Sequence, residues 1–229
     1  MGKKHVIIYT DGACEGNPGP GGIGVVLEYD GKSKEFSEGY RLTTNNRMEI
    51  LAVIVGLEAI KEPSQVTVFS DSKYVVDAMT QGWAENWASL GWVRKGGVRV
   101  PNADLWVRLL HLVGKHDVTF RWVKGHAGDR GNEEADQLSY AAIENKKLLE
   151  DEGYLRQLEL EKLSPSKITR EGQPCRKCGT PVVKKSPKRK SRPDQAYYYE
   201  YYLQCPQCKS IYMVEEAKRS IDQKTLFDP

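Results

Sequence analysis

The chain has 229 residues and a formal net charge of +3 at pH 7, a length that allows one large domain or a medium domain with a small one beside it. No apolar run is long enough to cross a bilayer. Strand-like residues begin within five of Met1, and Val6 stands where an N-myristoylation signal carries Ser or Thr, so a cytoplasmic protein with no leader or lipid anchor is expected.

The mild net charge conceals two unlike halves. Residues 1–154 carry 18 Lys and Arg against 22 Asp and Glu, whereas residues 155–229 carry 16 against 9. The first part is a candidate for metal binding and the second for a polyanion partner. Solvated surface charge accounts for much of both counts.

In chain order, strands are expected at about 5–10, 22–29 and 34–41, with Asp30-Gly31 as the hairpin turn between the last two. Residues 44–60 read as a helix that is apolar nearly all round ("ILAVIVGL") and therefore buried. A strand at 65–70, a helix at 72–80 and an irregular stretch at 81–101 with Trp83, Trp87 and Trp92 follow. A helix over 102–113 has Asn102 as its expected N-cap. The strand "DVTFRWV" (117–123), a Gly/His loop and a helix from about 132 to 146 complete this part. Three consecutive strands leading into alternating α and β predict an α/β mixed sheet with helices on it.

Four carboxylates stand in unexpected places. Asp11 and Asp71 each end a predicted strand, Glu49 lies inside the most apolar helix, and Asp136 lies in the first turns of the last helix. Each has an ordinary explanation. Asp11 suits the Gly/Pro turn after it, Asp71 could cap a helix, Asp136 suits a helix dipole, and Glu49 could occupy a wet face. Buried charges nevertheless need partners. If the first and fourth strands are neighbours, their ends deliver acids to one spot, where hard cations such as Mg²⁺ or Mn²⁺ would offset the repulsion. Two such ions can activate water and stabilise a leaving oxygen in phosphodiester hydrolysis.

The stretches "YTDGACEGNPGPGG", "TTNNRMEILAVIVGLEAI", "FSDSKYV" and "WVKGHAGDRGNEEADQLS" resemble the successive motifs of type 1 ribonuclease H, across about residues 5–154. The resemblance implies a ribonuclease H-like five-stranded mixed sheet flanked by helices. It also implies endonucleolytic hydrolysis of the RNA strand of RNA/DNA hybrids, leaving 3′-hydroxyl and 5′-phosphate ends. The family's four acids fall on Asp11, Glu49, Asp71 and Asp136. By this resemblance Asp11 bridges both metal ions, Asp71 joins it on the ion that holds the attacking water, and Glu49 and Asp136 complete the other. His126 matches the mobile-loop histidine that assists proton transfer or product release; otherwise it would read as an exposed or structural residue. Cys14, Asn17, Asn45 and Asn46 match contacts to the two strands near the minor groove, and Thr44 with Asn45 a hold on a DNA phosphate, beside their local role as helix starters.

Two departures from the family's pattern stand out. Lys73 occupies a position where many bacterial relatives carry glutamine, which puts minor-groove preferences in doubt and suits a phosphate contact instead. The tryptophan segment 81–101 matches the family's usually lysine-rich handle but holds only Arg94, Lys95 and Arg99 against Glu85. Modest hybrid affinity from this handle is expected, with its tryptophans used in packing.

A domain boundary is expected between about 155 and 172, a charged helical spacer between the catalytic domain at 1–154 and a zinc ribbon at 173–217, with a tail at 218–229. Cys175, Cys178, Cys205 and Cys208 form C-x₂-C-x₂₆-C-x₂-C, the ligand pattern of a closed structural Zn²⁺ site. Disulfides or a redox pair are the alternative, disfavoured in the cytosol. Between the pairs lie Lys184, Lys185, Lys188, Arg189, Lys190 and Arg192, followed by Tyr197, Tyr198, Tyr199, Tyr201 and Tyr202. Basic charge beside aromatics suits nucleic acid; a solvated loop beside packing tyrosines is the alternative. In the terminal "DQKTLFDP", Gln223, Leu226 and Phe227 resemble the peptide by which bacterial replication proteins dock on the sliding clamp. A monomer is expected.

Two other readings compete. One is a hybrid-binding or targeting protein with an idle catalytic half, which a missing acid would favour. The other is a transposase or integrase on the same fold, which usually carries a different acid pattern.

Overall fold

The computed structural model describes residues 4–94, 98–145, 147–163, 168–187 and 197–220, and it divides into two compact units, Met1–Gln157 and Leu158–Pro229. In the first unit β1 (His5–Cys14), β2 (Gly19–Tyr29) and β3 (Lys32–Thr43) run as an antiparallel meander. Helix α1 (Asn45–Glu58), strand β4 (Gln65–Ser70), helices α2 (Lys73–Thr80) and α3 (Trp83–Ser89), and the short hairpin β5 (Val93–Arg94) and β6 (Val98–Arg99) come next. Helix α4 (Ala103–Val113), strand β7 (Asp117–Trp122) and helix α5 (Arg130–Ile143) follow. The sheet has the order β3-β2-β1-β4-β7, with β4 and β7 parallel to β1. Ile8, Ile23, Val25, Ile54, Leu57, Val68 and Trp106 lie at its buried centre.

Several local expectations are corrected. β1 does not stop before Asp11; it continues to Cys14, because β2 starts at Gly19 and pairs Asp11 with Gly24 and Cys14 with Gly21. The glycines are there because helix backbones lie on these strands. A Cβ at Gly12 would sit 2.2 Å from the amide of Glu49, and one at Gly24 would sit 1.8 Å from the carbonyl of Ala135. Gly12→Ala should therefore cost about 3 kcal/mol, at the upper end of ordinary overpacking, measurable as a fall in the urea midpoint.

The segment 81–101 is not irregular. It holds α3 and the β5–β6 hairpin, and Trp87 packs edge-on against the buried Trp106 with ring centroids 5.7 Å apart. Apolar packing onto α4 supplies an order that local propensity does not reveal. Asn102 does not cap α4; its φ of 59° is left-handed and its side chain makes no cap bond. Ser72 rather than Asp71 caps α2, accepting from the Val75 amide, and Asp129 caps α5, which starts at Arg130 rather than 132.

Arg47 is 1 % exposed and donates two bonds each to Asp151 and Asp104, at 2.7–2.9 Å. Thr43 Oγ1 also donates to Asp151. This network fixes the first turn of α1, two residues ahead of Glu49, and Asp151 accepts from the Tyr154 amide at the start of helix α6 (Glu152–Leu163).

The second unit contains two small sheets. β8 (Val183–Lys185), β10 (Tyr202–Gln204) and β11 (Ile211–Met213) form one, and β9 (Tyr197–Tyr199) pairs with β12 (Lys218–Ser220), which follows a 3₁₀ turn at Glu215–Ala217. Ile168, Val182, Leu203, Val214 and Ala217 are its buried apolar side chains. Among the described residues, no helix is long and apolar enough to cross a membrane.

Candidate active site

The last parallel rung between β1 and β4 joins Thr10 to Ser70. Asp11 and Asp71 are the next residue on each chain, so two carboxylates project from adjacent strands at the point where pairing ceases. The close approach of α1 over Gly12 adds Glu49. α5, lying on Gly24, adds Asp136 from its second turn. Asp11, Glu49, Asp71, Asp136, His126 and Asn45 line one cleft of about 260 Å³, together with Tyr140.

The carboxylates are held by neighbours. Ser139 Oγ donates to Asp11 Oδ2 at 2.5 Å. Glu49 accepts from Ser72 Oγ at 2.7 Å and from Asn45 Nδ2 at 2.9 Å. Trp122 Nε1 donates to the Asp71 carbonyl at 3.0 Å. Burial, reinforced by the neighbouring carboxylates and opposed by these hydrogen bonds, pushes Asp11 up to about 6 and Glu49 up to about 7. Acids so perturbed in a cleft mark a functional site. The donor set fits divalent cations that prefer hard oxygen: four carboxylates share an open cleft and no thiolate lines it. His126 is 79 % exposed in a loop after β7, has φ of 51°, and brings Nδ1 to 4.0 Å from Asp136 Oδ2.

Next to the cleft, the turn between β1 and β2 meets the start of α1. Asn17 Oδ1 accepts from the Asn45 amide at 3.4 Å, and Cys14 Sγ points at the carbonyls of Gly19 and Thr43. Thr44 precedes α1 without a side-chain cap bond, and Asn46 is exposed. Cys14, Asn17, Thr44, Asn45 and Asn46 are thus brought together. Lys73 stands elsewhere, its Nζ 4.9 Å over the half-exposed Trp122 ring.

Ser72, Ser139, Trp122 and Tyr140 were not singled out by sequence. Ser72 follows Asp71 directly, and Ser139 stands one helical turn after Asp136; that spacing is the signal that could have found them. A hollow of about 320 Å³ at the far end of α1, lined by Leu57, Lys61, Pro63 and His116, is larger than the cleft. Its His116 accepts the Ser64 amide, and its two carboxylates, Glu58 and Glu62, are ion-paired with Arg108 and Lys4.

In the second unit the thiols of Cys175, Cys178, Cys205 and Cys208 all lie within 4.8 Å of one another. Cys175 and Cys208 are 3.5 Å apart, and Cys178 and Cys205 are 3.4 Å apart. A tetrahedron of Zn–S bonds near 2.3 Å has edges of about 3.8 Å. Amides of Lys177 and Cys208 donate to Cys175 and Cys205, and Tyr212 Oη lies 3.0 Å from Cys175 Sγ. Burial pushes the Cys175 thiol up, but these surrounding bonds outweigh it and hold it down to about 6. Of the basic run, Lys184 and Lys185 lie on β8. Lys188, Arg189, Lys190 and Arg192, and the tail residues Gln223, Leu226 and Phe227, lie outside the described residues.

Residues 3–144 match the family model of RNase H. The chain belongs to the ribonuclease H family. Ribonuclease H of Syntrophus aciditrophicus is 57 % identical over 152 residues, covering 66 % of this chain and 88 % of that one. Ribonuclease HI of Synechocystis is 53 % identical over 152 residues, covering 66 % of this chain and 95 % of that one. Among solved structures, LC9-RNase H1, a type 1 RNase H with the type 2 active-site motif, superposes with a TM-score of 0.58 at 36 % identity, covering 69 % of this chain and 82 % of that one. The first unit is a type 1 ribonuclease H, a nuclease that cleaves RNA/DNA hybrids endonucleolytically. The matches to these relatives leave most of the second unit uncovered.

Proposed function

We propose that this ribonuclease H hydrolyses the RNA strand by two-metal-ion catalysis, leaving 3′-hydroxyl and 5′-phosphate ends, in the cytoplasm. The convergence of four carboxylates from β1, α1, the end of β4 and α5 on one cleft supports this reading best. Asp11, Glu49, Asp71 and Asp136 would hold two divalent ions, Mg²⁺ or Mn²⁺. Such ions, when bound, supply an activated water and charge stabilisation at the leaving oxygen. Ser139 and Ser72 orient the carboxylates of Asp11 and Glu49 through the bonds described above. His126, exposed and next to Asp136, is placed to carry a proton to or from the cleft. Cys14, Asn17, Thr44, Asn45 and Asn46 form the surface that meets the hybrid beside the cleft, and Lys73 holds a phosphate farther along. The cysteine cluster would hold a structural Zn²⁺ that folds the second unit, consistent with a compartment where thiols stay reduced.

The test is an end-labelled RNA/DNA hybrid beside the matching RNA duplex, each with Mg²⁺, Mn²⁺ or no divalent ion. Cleavage of the RNA in the hybrid alone, and only with metal, is expected. Binding without cleavage in either metal would transfer the chain to the targeting-protein reading.

Gln223, Leu226 and Phe227 form a sliding-clamp motif in this reading, on the match of these three residues to the docking peptide. Phe227→Ala should abolish retention on immobilised bacterial clamp. Equal retention of parent and variant, or of neither, would remove the clamp from the account. The enzyme is expected to be a monomer.

A further inference from the structure

The register of the three-stranded sheet in the second unit sorts its side chains. Leu203 pairs with Tyr212 on one side and Lys184 on the other. Cross-strand partners share a face, so these three belong to the face that Leu203, 1 % exposed, turns to the core. The opposite face carries two rows of three: Met213, Tyr202 and Lys185, then Ile211, Gln204 and Val183. Ile211 is 56 % exposed and Met213 is 53 % exposed. None of the six residues is acidic.

The tyrosine-rich segment is less available than its sequence suggests. Tyr199 and Tyr201 pack against the small core, and Lys184 covers the Tyr201 ring at 3.8 Å. Tyr197 is 47 % exposed, but Lys218 Nζ lies 4.5 Å over one face of its ring and Tyr199 meets it edge-on. Tyr202 alone of these tyrosines stands on the outer face of the three-stranded sheet, at its centre.

Two acids of this unit are ion-paired. Glu200 pairs with Arg219 and Glu215 with Lys218, both within the β9–β12 part of the unit. Glu171 accepts the Lys184 amide at the edge of β8. Lys185 has no ion pair among the described residues, and the chain leaving β8 there continues in sequence through Lys188, Arg189, Lys190 and Arg192 against a single Asp194. A half-buried Tyr202 ring beside the exposed Met213 and Ile211, with the exposed Lys185 in its row, matches the needs of a base and its phosphate.

We propose that the outer face of β8, β10 and β11 binds single-stranded nucleic acid, with a base stacked on Tyr202 between Met213 and Ile211 and the backbone following Lys185. A duplex hides its base faces, so the platform selects single strands. This inference does not rest on the catalytic reading.

The test uses the full chain with zinc retained and a fluorescein-labelled dT₂₀ strand, followed by anisotropy over a range of salt. Tyr202→Ala should weaken binding about 10-fold, the scale of one lost base–aromatic stack. Tyr202→Phe should bind like the parent. Lys185→Glu should weaken binding and lower the salt slope by about one. Ile211→Ser, a change at an exposed site, should weaken binding several-fold without disturbing the fold. Lys209→Ala, on the cysteine knuckle, should have no effect, and equal zinc content reports intact folding. Parent-like binding by Tyr202→Ala and Ile211→Ser would overturn the proposal. So would equal losses for Tyr202→Phe and Tyr202→Ala. A change in self-association of Met213→Ser with dT₂₀ binding intact would assign the face to protein contact and overturn it as well.

Discussion

Asp11→Asn should lower hybrid cleavage by at least about 10³-fold and, without added divalent cations, should make the catalytic unit more stable. The first effect follows from removing a charged oxygen donor from a four-carboxylate site. The second follows from the direction of the Asp11 shift. Its carboxyl is pushed from 3.8 up to about 6 by burial and by Asp71 and Asp136. A carboxyl raised on folding binds its proton more tightly in the folded state. Its contribution to stability is full below the unfolded value and is lost as pH rises through the folded one. At pH 8 the ionised group opposes folding; at pH 3 it does not. Asparagine lacks that charge and still offers an oxygen to Ser139. The gain should be about 1–2 kcal/mol at pH 8, discounted from the full linkage because neighbouring acids share the repulsion. It should vanish near pH 3. Urea unfolding of both proteins at the two pH values checks this. A variant less stable at pH 8 would mean that Asp11 is a structural hydrogen-bond acceptor first. Glu49→Gln should move in the same sense, since Glu49 is raised to about 7 by burial first.

Removing zinc should unfold the second unit and leave the first intact. Among the described residues, the buried apolar centre around Cys175 and Cys205 is Ile168, Val182, Leu203, Val214 and Ala217, with Tyr199, Tyr201 and Tyr212 packed partly buried against it. Such a core does not match the conformational entropy of ordering some fifty residues. Binding of a structural zinc contributes an apparent 10–16 kcal/mol or so in small domains, enough to decide the fold. Cys205→Ala should therefore bind no zinc tightly and expose residues 168–220 to protease. The catalytic unit, with its own core around Trp106 and Ile54, should keep its urea midpoint. A zinc-free chain with a protease-resistant second unit would contradict this.

Much of the catalytic unit was legible in the sequence because its long elements obey periodicity. The apolar run 50–57 read as a buried helix and "QVTVFS" as a strand, and both are so. That β1 and β4 are neighbours was only a condition of the sequence reading, and the parallel register from His5–Gln65 to Thr10–Ser70 supplies it. Glycine misled the reading around residues 12–24. It looks like turn chemistry, yet here it is strand chemistry under helix backbones, a reason visible only once α1 and α5 are in place. The Trp83–Trp92 segment misled for the opposite cause: packing of Trp87 on Trp106 orders what local propensity leaves open. The Arg47–Asp104–Asp151 network joins residues 104 positions apart and leaves no local trace. Among site residues, Glu49 stood out as a charge in an apolar helix and Asp11 and Asp71 as acids at strand ends, while the motif resemblance joined Asp136 to them. Ser72 and Ser139, which orient two of them, are common residues whose meaning comes from the acid each one touches.

The most direct measurement is anomalous scattering from crystals of the full chain soaked in Mn²⁺ and bound to an RNA/DNA hybrid. Two manganese peaks are expected in the cleft of Asp11, Glu49, Asp71 and Asp136, with the Asp11 carboxylate touching both and the RNA phosphate beside them. A hybrid seated in the cleft with no manganese among these four acids would contradict the account.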